Sequence, residues 1–262
     1  QQRTEFLLEK NWRFCKGDFP QAISNDFNDK NWEEVRIPHD WAIYGPFDRK
    51  HDLQEVAIIQ NGEKVPTVKT GRTGGLPYMG VGWYRTFFDV KNFQSEKQII
   101  TLKFDGAMSE ARVYVNGKEV CFWPYGYNAF HCDVTEVLNT DGKNNLLAVR
   151  LENKPESSRW YPGAGLYRNV HVIQTNKIHV PVWGTYITTP FVSEEYASVR
   201  LRTEIAGDHK DIRIITEIRD ADNKVVAFKD NRQQLNHGRP FEQNFIVEDP
   251  RLWSPETPYL YT

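Results

Sequence analysis

Ser158-Arg159-Trp160-Tyr161-Pro162-Gly163-Ala164-Gly165-Leu166-Tyr167-Arg168 sets a guanidinium and two large rings directly against a proline and two glycines. Proline and glycine interrupt regular structure, so Arg159, Trp160 and Tyr161 are expected in a loop, and loops run over surfaces. A guanidinium beside flat rings suits a ligand that is polar at its edges and apolar on its faces. Sugars have that character: their axial C–H groups pack on rings, and their hydroxyls need fixed donors and acceptors. Arg72, Tyr78 and Met79 of the glycine-rich run Gly71–Gly80 have the same make-up. Arg159, Trp160, Tyr161, Arg72 and Tyr78 are therefore the candidate substrate-binding residues. The plainer alternative is that Trp160 plugs the edge of a core while Arg159 pairs with an acid, since large side chains are mostly buried.

Other chemistry is thinly represented. His39-Asp40 beside Trp41 has the residue types of an acid–base pair, although such a pair more commonly caps a turn. His131-Cys132-Asp133 has metal-ligating types but no second cluster near it in sequence. No Gly-x-Ser-x-Gly, His-Glu-x-x-His, Walker loop or Gly-x-Gly-x-x-Gly occurs. Acids are plentiful, yet none has a local setting that marks it as one of the paired carboxylates of a glycosidase, which stand about 5 Å apart in a retaining enzyme. No catalytic residue, metal or cofactor is assigned. The 262 residues carry a formal net charge of -2. A nucleic-acid footprint would need a clustered basic excess. The apolar runs are too short to span a bilayer. Three scattered cysteines do not make a disulfide scaffold. A Cys121–Cys132 bridge is conceivable, but free thiols are the expectation. The chain opens on Gln1-Gln2, read as a processed mature form or a piece cut from a longer chain, with a periplasmic or secreted location expected ahead of a cytoplasmic one. The oligomeric state stays open, a homo-oligomer among the alternatives.

The elements that must hold these residues are strands. Val199–Ile205 alternates between apolar or β-branched and charged residues, and Ile212, Ile214, Thr216 and Ile218 alternate with polar neighbours, broken only at Ile215. Trp83–Phe88, Ile99–Phe104 and Leu146–Leu151 are β-branched and aromatic runs of strand length, and no helical period competes with them. Such alternation implies sheets with one buried and one wet face. Val113-Tyr114-Val115, Asn116-Gly117 and Lys118-Glu119-Val120 spell a hairpin with a type I′ turn. Asp133–Leu138 is read as a short helical turn capped by Asp133. The stretch from Pro38 to Gly82 breaks the strand spacing, and so long a connection is usually functional or disordered. A second break near Lys177–Pro181 predicts two domains, 1–179 and 180–262.

Five motifs then line up in order. Trp32–Trp41 resembles the start of the non-catalytic sugar-binding domain of glycoside hydrolase family 2, which holds β-galactosidases, β-glucuronidases and β-mannosidases. Gly80–Arg85, Val113–Gly117 and Arg159–Arg168 are similar to its later signatures, and Leu252–Tyr261 to the segment closing its immunoglobulin-like domain. Gly74–Arg85 most resembles β-galactosidases. The resemblance implies an all-β chain: a jelly-roll-like sandwich, then an immunoglobulin-like sandwich. A C-terminal catalytic (β/α)₈ barrel of the same protein, acting on a β-galactoside or related glycan, is implied as partner. In the family the acid/base glutamate follows an asparagine, and no Asn-Glu dipeptide occurs here. The catalytic glutamates are thus expected outside this segment, with the Arg159–Arg168 loop helping to complete the sugar subsite. The alternatives are a free-standing carbohydrate-binding module and a module whose aromatic surface meets another protein.

Overall fold

The computed structural model describes residues 3–51, 53–70, 78–154, 162–208, 211–234 and 240–262. The chain is all-β, divided into two compact units, Gln2–Asn176 and Lys177–Thr262. The first unit contains β1 (Arg3–Leu7), β2 (Trp12–Lys16), β3 (Glu33–Val35), β4 (Gln54–Val56), β5 (Thr67–Lys69), β6 (Gly80–Phe88), β7 (Gln98–Phe104), β8 (Ala111–Val115), β9 (Lys118–Trp123), β10 (Phe130–Asp133), β11 (Asn145–Asn153) and β12 (Val170–Asn176). A four-stranded sheet, β1-β12-β7-β10, faces a six-stranded one, β3-β2-β6-β11-β8-β9, and every pairing is antiparallel.

Alternation fixes which side chains fill the space between the sheets. Ile100, Leu102 and Phe104 of β7, Ala111, Val113 and Val115 of β8, and Phe130 and Cys132 of β10 all point inward. The central strands β6 and β11 depart from the expected half-wet pattern and are buried on both faces. The segment after β2, with a 3₁₀ turn at Pro20–Ile23, covers their outer face, where Ala22 and Trp32 pack on Trp83 and Ala148. Under this cover lies Arg85, only 1% exposed. Its Nε bonds Asp29 at 2.7 Å and its Nη1 donates to the carbonyls of Ala22 and Ser24.

The long connection after Pro38 has structure of its own. β4 and β5 pair as a small ribbon, and Glu63 ties it down by accepting from Ile58 N–H at 2.8 Å and pairing with Lys69 at 2.9 Å. The Asn116-Gly117 turn joins β8 and β9 with both residues at positive φ, as the sequence predicts.

The second unit contains β13 (Thr185–Val192), β14 (Tyr196–Thr203), β15 (Asp211–Arg219), β16 (Val225–Gln234) and β17 (Phe241–Glu248). β13-β14-β17 forms one sheet and β15-β16 the other. Among its described residues, the well-buried apolar ones are Ala197, Phe245 and Val247.

Candidate functional site: a backbone clamp next to the aromatic run

Arg159, Trp160, Tyr161 and Arg72 lie outside the described residues; Tyr78 and the sequence flanking the loop on both sides are described. The second half of the run does not lie on the surface, contrary to what its proline and glycines suggested. Pro162 through Leu166 are buried, and Ala164 and Leu166 belong to the main core. The reason is a clamp with the His39-Asp40-Trp41 segment. His39 N–H donates to Leu166 O at 2.8 Å. Asp40 Oδ1 accepts from Ala42 N–H at 2.9 Å and from Ala164 N–H at 3.1 Å, closing its own turn and gripping the other strand of chain. Asn153, at the end of β11, donates from Nδ2 to Gly163 O at 3.0 Å. Gly165 and Met108 exchange backbone bonds of 2.9 and 3.0 Å. At Gly165, φ is +101°, and a Cβ would lie 2.6 Å from His39 O and 3.4 Å from the Trp41 ring. Only glycine lets the two segments approach so closely.

The pair His39-Asp40 therefore acts as a structural cap rather than an acid–base couple. Tyr84, fully buried on β6, stands at the centre of the clamp. Its oxygen lies 2.7 Å from His39 Nδ1. Burial pushes the Tyr84 phenol well up, so it keeps its proton, and the hydroxyl donates to His39 O at 3.4 Å. Burial also holds the His39 pKa below the usual histidine value, with Glu33 and Asp40 pulling it up and Lys16 pushing it down. Tyr84 and Asn153 escaped the sequence reading, since neither has local spacing that separates it from ordinary strand residues.

Around the clamp the rings are stacked. Trp41 lies over Phe14 at 5.4 Å between centroids and over Tyr84 at 6.3 Å. Tyr78 is half-buried beside them. Its hydroxyl donates to Val81 O at 3.4 Å, and its carbonyl accepts from Trp41 Nε1 at 3.4 Å. Lys16 Nζ stands 5.4 Å from the Tyr78 ring centre and donates to Gly45 O at 3.0 Å. Burial lowers its pKa, with Glu33 opposing. What Tyr78 can offer a ligand is ring surface more than its hydroxyl.

The other candidates do not assemble. His131, Cys132 and Asp133 alternate along β10, exposed, buried and exposed, so the three cannot converge on one ion. Asp133 Oδ1 accepts instead from Thr135 N–H at 2.9 Å, ahead of a 3₁₀ turn, Thr135–Val137, that is shorter than the Asp133–Leu138 turn expected and has Val134, not Asp133, at its N-cap position. No group of metal-ligating residues occurs among the described residues. The cysteines are free, and the thiol of Cys132, hydrogen-bonded to that of Cys121 and buried, is raised well above the usual thiol range.

The described residues form two antiparallel units, a four- and a six-stranded sheet in the first and a three- and a two-stranded sheet in the second. Comparison with known proteins gives the chain its family. Residues 7–176 match the family model described as glycosyl hydrolases family 2, sugar binding domain, and residues 178–262 match the model for glycosyl hydrolases family 2. The chain belongs to glycosyl hydrolase family 2. It is 36% identical over its whole length to the β-galactosidase BoGH2A of Bacteroides ovatus, and 32% identical over 99% of its length to a putative β-glucuronidase of Formosa agariphila. It spans 29% and 23% of those two relatives. A crystal structure of a family 2 member from Bacteroides cellulosilyticus superposes with a TM-score of 0.85 at 31% identity, covering 98% of this chain and 32% of that one. The β-glucuronidase of Bacteroides uniformis superposes at 0.78 with 29% identity, covering 99% and 30%.

Proposed function

We propose that this chain is the accessory part of a retaining exo-glycosidase that removes terminal β-linked sugars, β-galactosides in the first place. The catalytic glutamates belong to a barrel domain of the same protein, outside these 262 residues. The observation that carries the reading is the 36% identity to a β-galactosidase along the entire chain. The clamp supports it: directional bonds fix Asn153 and Gly163–Leu166, described residues on either side of 155–161, and a binding residue acts best beside chain that is held in a set place. In this role Arg159 is a charged donor to sugar hydroxyls, Trp160 and Tyr161 are stacking surfaces, and Arg72 and Tyr78 border the same subsite. A β-glucuronide is the second reading, favoured by the names of two relatives. Its carboxylate would pair with a guanidinium, at Arg159 or Arg72.

Turnover of nitrophenyl glycosides tests this. The longer protein should hydrolyse the β-galactoside faster than the β-glucuronide; the opposite order selects the second reading. These 262 residues alone should give no rate above buffer. Turnover that survives repurification and is abolished by mutating an acid within them contradicts the assignment. Glycan binding by these residues with no glycosidase activity in the longer protein would make the chain a carbohydrate-binding module.

A further inference from the structure

Cys121 and Cys132 take no part in the clamp, and they meet at one edge of the first unit. Among the described residues β9 ends the six-stranded sheet and β10 ends the four-stranded one, so the two strands belong to facing sheets. The ladders show which way their side chains point. Cys121 and Trp123 stand opposite Val113 and Ala111 of β8, and Phe130 and Cys132 stand opposite Phe104 and Leu102 of β7. Residues paired across a ladder share a face, and all four partners lie in the core between the sheets. The rings of Trp123 and Phe130 stack from one sheet to the other, with centroids 5.7 Å apart and planes at 16°. Two residues back along β9 and two forward along β10 from that ring pair stand Cys121 and Cys132. Their side chains are hydrogen-bonded, the Cys132 S–H donating to the Cys121 sulfur.

We propose that this thiol pair is a modification site: a low-molecular-weight disulfide oxidises it to a Cys121–Cys132 bridge that joins the two sheets at their edge. The exchange has two steps. Cys121 gives up its proton, and its thiolate attacks one sulfur of the small disulfide. A mixed disulfide forms, the small S–S bond breaks, and the other sulfur leaves as a thiolate that takes up a proton. Cys132 then gives up its proton and attacks the Cys121 sulfur. The bridge forms, the mixed S–S bond breaks, and the second small thiolate leaves and is protonated. Two protein thiols are oxidised, and one small disulfide is reduced to two small thiols.

The order of attack follows from the surroundings. Cys132 is 7% exposed, whereas Cys121 is only partly buried and is the one that a small disulfide can reach. The bond from Cys132 lowers the Cys121 thiol, against burial and Glu119, and so favours the nucleophilic thiolate. Cys132 has no such help, but the mixed disulfide forms on the sulfur it already touches, so its step is intramolecular. Cys15 lies on the outer face of β2, packed on the Trp32–Trp83 cluster, and burial raises its thiol. It should stay free. β9 and β10 share no backbone ladder, so side-chain packing alone holds this edge until the bridge adds a covalent tie. Such a tie removes freedom from the opened chain and should make the edge harder to open.

Peptide mapping of the longer protein decides the matter. The folded protein is treated with oxidised glutathione, then denatured, alkylated and cut with trypsin. One tryptic peptide, Glu119–Lys143, carries both cysteines. It should appear two hydrogens lighter and without alkyl groups, and reductant should restore both labels, while Cys15 labels throughout. Cys132→Ser should instead accumulate glutathione on Cys121. Cys121→Ser should leave Cys132 free to alkylate. In the bridged parent, amide exchange along β9 and β10 should slow by about tenfold. Full alkylation of both cysteines after oxidation of the folded parent makes the pair ordinary core thiols and overturns the proposal. So does a parent that stops at the mixed disulfide, or a bridge that forms only in denaturant. Faster exchange in the bridged form also overturns it, since the bond would then distort the edge it is meant to close.

Discussion

Tyr84 shows what a single hydroxyl does in the clamp. It meets His39 at both Nδ1 and the backbone carbonyl, and the Tyr84 side chain itself is fully buried. Tyr84→Phe should lower unfolding free energy by about 1–3 kcal/mol in denaturant titration, the cost of leaving buried polar groups unpaired. His39 adds a pH dependence. Its folded-state pKa lies below the unfolded value near 6.5, so the unfolded chain binds the proton more readily. Stability from this group is complete above about pH 6.5 and declines as pH falls below it. His39→Gln, which keeps an acceptor for Tyr84, should make the pH 5–7 stretch of the stability curve flatter. His131, also lowered by burial, leaves a residual slope of the same sign. A curve as steep as the parent's would remove His39 from the account.

At the scale of elements, β6 carries the most consequence. Its inner face holds Tyr84, and its outer face holds Arg85 under the Phe19–Trp32 cover. Asp29→Ala would leave the 1%-exposed guanidinium without its carboxylate, and breaking such a pair costs about 3–5 kcal/mol. Calorimetry should show a correspondingly lower melt, while Arg85→Met with Asp29→Asn should recover part of the loss; equal melts for the parent and Asp29→Ala would mean the pair is not what holds the cover. The strands themselves were legible because residue alternation and the Asn116-Gly117 turn are local signals, readable without knowing what lies opposite. The double burial of β6 and β11 was not, because it depends on the cover, which arrives from another part of the chain. The same limit explains Pro162–Leu166. Proline and glycine correctly marked the absence of a strand, but they carry no information on whether a loop is clamped against His39 and Asp40 or left in solvent. Between Pro38 and Gly82, β4 and β5 are three residues each, too short for periodicity to register.

For the molecule as a whole, the division falls at Asn176 and Lys177, both exposed, and His179 is already bonded to Ala206 within the second unit. Trypsin should therefore cut after Lys177 before it cuts within any strand, giving fragments that mass spectrometry assigns to residues 1–177 and 178 onward. Early cleavage inside β7 or β11 would contradict two independent units. The central claim concerns the loop on the clamp, and it is tested most directly by Arg159→Ala and Trp160→Ala in the longer protein, with kcat/KM and thermal melting measured on the same preparations. A lost hydrogen bond from a charged donor is worth about 1.5–3 kcal/mol, so kcat/KM should fall roughly ten- to a hundredfold or more, with the melt unchanged. A melt lowered in keeping with the about 3–5 kcal/mol that a buried Trp→Ala costs, with normal kinetics, would contradict it and make Trp160 a plug of the sandwich core.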